Sequence, residues 1–378
     1  MWNFRALKWI DLRVVFIIFS LMIVSLLIIS SYSQEELIDP GEGGFWTPLV
    51  FKQIQFFTVG WIAFLLAAAF DYSKLREWTW IIYLLMILFL IGLFFTPSIQ
   101  RVHRWYKIPF IGFNFQPSEY AKLSVVISLS WFLERRKNVS QSWSTVFLAA
   151  LVVGIPFLLI LKQPDLGTAL VLLPITLVIF YFGNIRPSII KWMSLIGFST
   201  LLLTSAIFLQ LLPHEVLRPY ATKVIKEYQF ERFNPKSHHQ KASITAIGLG
   251  GWTGSGWKKS SYAKQGWLPA PYTDSVFPSF GEEFGLLGLI FLIFLFYALI
   301  HCIFQVSAMV KDAFGRLLSA GIGVYIAMHV LINIGMMCGF LPITGVPLML
   351  VTYGGSSVIA TMTALGIVQS IYIRRRTC

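Results

Sequence analysis

Asp274 stands in Pro271-Tyr272-Thr273-Asp274-Ser275-Val276-Phe277, between aromatic rings and at the edge of an apolar run. A carboxylate in that setting is either a turn residue or a general base held at a membrane surface. Glu119 and Lys122 lie three apart directly after Pro117, a spacing that puts both on one helical face. Two readings fit them. One is a helix-start Glu with a snorkelling or paired Lys; the other is the lining of a polar cavity inside a membrane. Asp165, between Pro164 and Leu166-Gly167-Thr168, suits a helix cap. Glu282-Glu283 open a long apolar run, where the helix dipole favours acids, and are set aside as catalysts.

Other motifs are weaker. Gly248-Leu249-Gly250-Gly251-Trp252-Thr253-Gly254-Ser255-Gly256-Trp257, followed by Lys258 and Lys259, has neither the Lys-Ser/Thr of a P-loop nor a βαβ setting. Its glycines offer at most exposed amides for an anion. The preceding Gln240–Ile247 run reads as a short amphipathic element on the membrane surface. His238-His239 reads as a solvated loop pair, and no nucleophile motif surrounds any of the 6 histidines. Tyr353-Gly354-Gly355-Ser356-Ser357 reads as close helix packing, with a broken helix beside a cavity as the alternative.

The elements that must position these residues follow from composition. Of 378 residues, 56% are hydrophobic and 12% charged, and the mean hydropathy is +0.72. Soluble domains carry about 25% charge, so too little is present to coat two or three soluble domains. A cytosolic enzyme, a disordered regulator and a secreted disulfide scaffold are excluded. The 3 cysteines have neither a disulfide nor a zinc spacing.

Apolar segments of about 20 residues span a bilayer. They occur at Val14–Ser31, Val50–Phe70, Thr79–Phe95, Ser118–Leu133, Thr145–Leu161, Leu166–Phe182, Ile190–Leu212, Phe284–Phe304, Leu317–Cys338 and Val346–Ile373. The expectation is an all-α polytopic membrane protein, one domain over 1–378 with about ten transmembrane helices. One long extracytoplasmic loop, 213–283, precedes helix eight and is long enough to suggest a functional element.

Basic residues orient the chain. Arg5, Lys8, Arg13, Lys74, Arg76, Arg135, Arg136, Lys137, Arg186, Lys191, Lys311, Arg316 and Arg374–Arg376 fall on one side; Glu35, Glu36, Asp39 and Glu42 fall on the other. Both termini are therefore expected in the cytoplasm. Half of the 30 Lys and Arg serve as such anchors, so the net charge of +13 is not a nucleic-acid signal. Arg101, Arg104 and Lys107 break the pattern in a short outer loop, which directs attention to the outer face.

Four stretches in order carry a resemblance. They are Phe115-Gln116-Pro117-Ser118-Glu119-Tyr120-Ala121-Lys122; Gln163-Pro164-Asp165-Leu166-Gly167-Thr168-Ala169; Thr273-Asp274 with Gly281-Glu282-Glu283-Phe284-Gly285; and Gly345-Val346-Pro347-Leu348 with Tyr353-Gly354-Gly355-Ser356-Ser357. Together they resemble the SEDS family (shape, elongation, division and sporulation) over nearly the whole chain. Ala246–Gly251 with Gly254-Ser255-Gly256-Trp257 is more similar to its RodA branch than to its FtsW branch. Tyr272 stands where the family commonly has His, Ser275-Val276-Phe277 where Phe-Ile-Phe is usual, and Thr352 where Ser is commoner.

The resemblance implies a peptidoglycan glycosyltransferase that polymerises lipid II at the outer face of the cytoplasmic membrane, in cell elongation and shape. It implies Asp274 as the essential aspartate, and Glu119, Lys122 and Asp165 as polar cavity residues. It implies work beside a class B penicillin-binding protein, a transpeptidase, and with other cell-wall elongation proteins. One carboxylate suffices as base, because pyrophosphate is already a good leaving group. Its developing charge calls for cations, for which Arg104, Lys122 and Arg101 are expected, or for a divalent metal ion; no other cofactor is required. Two alternatives remain at this level: a lipid-precursor flippase with Glu119 and Lys122 along its route, and another membrane glycan ligase using lipid-pyrophosphate donors.

Overall fold

Apolar runs become helices, several of them started by a capping side chain. A computed structural model describes residues 2–32, 44–96, 104–108, 113–209, 211–212, 214–221, 227–230, 233–235 and 237–375. The helices are α1 (Leu12–Ser31), α2 (Pro48–Ala69), α3 (Leu75–Gly92), α4 (Pro117–Arg135), α5 (Trp143–Lys162), α6 (Leu166–Phe182), α7 (Pro187–Phe208), α8 (His214–Ala221), α9 (Glu227–Phe230), α10 (His238–Gly250), α11 (Val276–Met309), α12 (Ala313–Met337) and α13 (Gly355–Arg374). Asp11, Thr47, Ser142, Asp165 and Asp312 each accept a main-chain N–H of the turn they open. A hairpin of two three-residue strands, β1 (Tyr106–Ile108) and β2 (Phe113–Phe115), is the one departure from an all-α chain among the described residues.

Among the described residues, eight helices are long and apolar enough to cross a membrane: α1, α2, α3 (with the short turn before and after it), α5, α7, α11, α12 and α13. The two remaining long ones are α6, with 17 residues, and α4. Low hydropathy in α4 has a physical reason: fifteen of its 19 residues are buried in protein, so its Glu, Lys and serines do not meet lipid. The bundle is centred on α12 and α13, whose spans are 72% buried, while α7 lies at the edge with 6%. α13 runs along α2, α12 lies between α11 and α4–α6, and α10 packs on α11.

Both ends of the chain meet at one end of this bundle. Asn3 and Arg374 bond the Ala69 carbonyl, and Asp11 N–H donates to Gln369. Three helices are stitched together there by Arg76, which donates to both Glu134 oxygens at 2.8 and 2.9 Å and to Asp312 at 2.6 Å.

At the opposite end the boundaries differ from expectation. The expected loop 213–283 holds α8, α9 and α10, and helix α11 begins at Val276 rather than Phe284. It is interrupted at Gly285 (φ 64°), so that 276–284 forms a separate short helix lying under α10. The expected span Val346–Ile373 also divides: α13 starts only at Gly355, and 345–354 is irregular. Its apolar residues Val346, Leu348, Met349, Leu350 and Val351 are buried nonetheless, which is why hydropathy reads them as helix.

Candidate active site

Asp274 ends a turn just before α11, and its backbone is fixed from three sides. Three successive carbonyl oxygens each accept a hydrogen bond. Tyr353 N–H donates to Tyr272 O at 3.0 Å, Thr352 Oγ1 to Thr273 O at 3.2 Å, and Asn333 Nδ2 to Asp274 O at 3.3 Å. Asn333 also donates to Val346 O at 2.8 Å, so one amide ties the turn to the irregular 345–354 loop. None of these bonds uses the Asp274 carboxylate. Among the described residues no ion pair reaches it either. Its Oδ2 faces Gly345, 3.8 Å from where a Cβ would stand. Gly345 has φ +73°, a conformation that favours glycine. Partial burial pushes the Asp274 carboxyl above the ordinary carboxylate value, and the Arg104 guanidinium opposes that rise.

The facing wall is the α5–α6 turn. Asp165 caps α6 through Thr168 N–H at 3.4 Å and accepts from Ser118 Oγ at 3.2 Å and Gln116 Nε2 at 3.4 Å. Arg104, just before β1, donates to Gln163 O at 3.3 Å and to Pro164 O. Gly167 lies directly against Thr344 and Val346, so the turn and the Gly345 loop touch. Gln116 N–H donates to Ser356 Oγ at 3.0 Å, joining the start of α4 to that of α13. The four resemblance stretches thus converge on one place.

Glu119 and Lys122 lie behind this wall rather than in it. Lys122 is 0% exposed and Glu119 2%, with Nζ 2.7 Å from Glu119 Oε1. The same Nζ is 2.7 Å from His329 Nε2 and stands over the Tyr325 ring, 5.2 Å from its centroid. The site therefore gathers Asp274, Arg104 and Asp165, while Glu119 and Lys122 form a sealed pair beneath it. Arg101 lies outside the described residues.

Several expectations require correction. Glu282 and Glu283 do not open the helix, which begins at Val276. Both are 1% exposed; Glu282 accepts Tyr262 N–H and Ala263 N–H and so pins the 260–263 segment, while Glu283 accepts Ser31 Oγ at 3.0 Å and ties the helix to the end of α1. The glycine-rich stretch is a packing surface: a Cβ on Gly250 would sit 1.9 Å from Gly281 O, and one on Gly254 2.1 Å from Glu283 O. α10 turns Ala242, Ser243, Ala246 and Gly250 into protein and Ile244 and Leu249 outward. His239 is on this helix, not in a loop, and its Nε2 is 2.7 Å from Ser275 Oγ, next to Asp274. Burial lowers its pKa, with His238 adding to the effect, so it is neutral at pH 7. Tyr272, in the place of the family's His, stands edge-on to Tyr353 with ring centroids 5.9 Å apart. Among the described residues no group of three or more His, Cys, Asp and Glu could hold a metal ion.

Sequence reasoning missed His329 and Asn333. They are four apart on one face of α12, both 0% exposed, and both bond carbonyls of the Gly345 loop. Two polar side chains at helical spacing in an apolar span were the available signal.

Fold and site together define a polytopic helical membrane protein with a carboxylate, unpaired among the described residues, at the end of the bundle opposite the termini. The chain belongs to the FtsW/RodA/SpoVE family, whose model, described as "Cell cycle protein", matches residues 12–377. It is 30% identical over 371 residues to the peptidoglycan glycosyltransferase MrdB of Escherichia coli K12, covering 97% of this chain and 94% of that one. The Helicobacter pylori 26695 MrdB is 31% identical over 327 residues, 85% of this chain and 83% of its own. Two solved structures superpose. One, described as structural coordination of polymerization and crosslinking by a peptidoglycan synthase complex, has a TM-score of 0.76 at 25% identity, covering 98% of this chain and 99% of that one. The rod shape determining protein RodA of Thermus thermophilus has a TM-score of 0.69 at 24% identity, covering 97% of each, and supports the fold.

Proposed function

We infer that the protein is a peptidoglycan glycosyltransferase that polymerises lipid II at the outer face of the cytoplasmic membrane, with both termini in the cytoplasm. The relatives named peptidoglycan glycosyltransferase support the activity class. The observation that carries the site is the Asp274 carboxylate, held by its backbone, without an ion-pair partner among the described residues and raised in basicity.

In this reading Asp274 takes the proton from the acceptor sugar's 4-hydroxyl as that oxygen attacks the donor's anomeric carbon. A new glycosidic C–O bond forms. The bond from the anomeric carbon to the lipid pyrophosphate breaks, and pyrophosphate leaves with the electron pair. Arg104, anchored on the Gln163 and Pro164 carbonyls, stands ready for the charge that develops there. Asp165 orients Gln116 and Ser118 at the opposing wall. The polyprenyl tail stays in the bilayer while the sugars reach the segment 213–283. A class B penicillin-binding protein is the fitting partner, since one matching structure is described as coordinating polymerization with crosslinking. A carrier mechanism needs Glu119 and Lys122 along a headgroup route, and both are enclosed and bonded to each other.

The test is polymerisation of lipid II by the purified protein with its transpeptidase partner. Asp274→Ala is expected to lower the rate by about 10²–10⁴, the usual weight of a general base. Full glycan synthesis by a folded Ala variant would remove Asp274 from the chemistry.

A further inference from the structure

Lys122 brings three N–H donors and no acceptor. One meets Glu119 Oε1 at 2.7 Å, one meets His329 Nε2 at 2.7 Å, and the ammonium stands over the Tyr325 ring. Because the ammonium cannot accept, His329 Nε2 must present its lone pair to it. The imidazole proton then sits on Nδ1, which is 3.2 Å from the Pro347 carbonyl and donates to it. Pro347 is two residues from Gly345, which Asp274 Oδ2 faces, and next to Val346, whose carbonyl shares Asn333 with Asp274. A line of contacts therefore runs from a buried ion pair, through one ring in one tautomer, to the wall beside the free carboxylate.

We propose that His329 is a positioning residue of the glycosyl transfer: the Glu119–Lys122 pair fixes its tautomer, and its Nδ1–H holds the Gly345–Pro347 loop at the distance the reacting sugars need from Asp274. The proposal rests on Asp274 being the base. It gives Glu119 and Lys122 a task that requires no contact with substrate. It also explains a carboxylate and an ammonium placed where neither meets solvent: Lys122 without its charge would leave the ring free to take either tautomer.

Two replacements divide the ring's two bonds. His329→Asn keeps a donor near the Nδ1 position and loses the acceptor for Lys122. His329→Gln keeps an acceptor near Nε2 and loses the donor for Pro347. Purified in lipid nanodiscs, the Gln variant is expected to unfold near the wild-type temperature yet lose about tenfold or more in kcat, with KM for lipid II within about twofold. The Asn variant is expected to unfold at lower temperature, with Lys122 under-bonded, while keeping kcat within about threefold of wild type. Activity and stability thus cross over. A role in stability alone would make the two move together, and that result, or wild-type kcat in the Gln variant, overturns the proposal. Should neither variant fold, Glu119→Gln with Lys122→Met removes both buried charges at once, a change bundles tolerate. It is expected to lose about tenfold in kcat, and an unchanged kcat there overturns the proposal equally. An active Asp274→Ala enzyme would instead sink the base assignment, so the two failures are distinguishable.

Discussion

The two ends of the bundle treat charge in opposite ways. Where the termini meet, charges are paired: Arg76 is shared across helices by Glu134 and Asp312, Tyr72 adds a hydroxyl to Asp312, and Arg13 pairs with Asp11. At the far end the main chain of residues 272–274 is tied at three carbonyls, yet the Asp274 carboxylate has no ion-pair partner among the described residues. Paired charge closes helix ends against one another. A free carboxylate on a fixed backbone is a reagent, because nothing must be broken before it takes a proton.

Apart from Asp274 itself, the largest expected loss of turnover separates two arginines. Arg104→Met, at the site end, should lower kcat for lipid II polymerisation by about 10²–10³, the weight of one lost charge-stabilising donor. Arg76→Met should leave kcat within about twofold but lower stability by about 1–2 kcal/mol, since Glu134 and Asp312 keep partial contact with water. Kinetics and thermal unfolding of the two variants would break the contrast if Arg76 proved the more damaging to turnover. Next in size is Gly345→Ala. Its positive φ costs about 1–2 kcal/mol of strain in any other residue, and the new methyl would stand at ordinary contact distance, 3.8 Å, from Asp274 Oδ2. Turnover should fall several-fold, measured against a stability-matched control.

The smallest expected change is one of stability, and its sign is the most informative. The folded protein raises the Asp274 carboxyl above its ordinary value. Its contribution to stability is then fully present below the unfolded pKa and is lost as pH rises through the folded one. At pH 7 the ionised group is a cost, so Asp274→Asn should raise the unfolding temperature while abolishing activity. The wild-type rate should fall on the acid side at a pH above the ordinary carboxylate range. A destabilised Asn variant at pH 7 would show the carboxylate to be held rather than free.

Much of this was legible in the chain. Helix order followed from apolar runs, and Asp274 stood out because no helix start excused it. Asp165 read correctly as a cap, which the Thr168 N–H confirms. What was hidden has physical reasons. Val346–Val351 is apolar because it is buried, and burial hides whether backbone is helical. Glu282 and Glu283 sit near a helix start only if Val276–Phe284 is taken as loop, and the break at Gly285 carries no hydropathy signal. His329 and Asn333 act on carbonyls that belong to residues of any type, so no side-chain pattern announces the pairing.

The three carbonyl anchors around Asp274 have a practical corollary. They grip atoms that every amino acid possesses, so exchanging the side chain at 274 leaves the turn standing. An Asn variant should then load both sugars, stall before bond formation, and hold them. The fold supplies, without further engineering, a trap for photographing its own substrates.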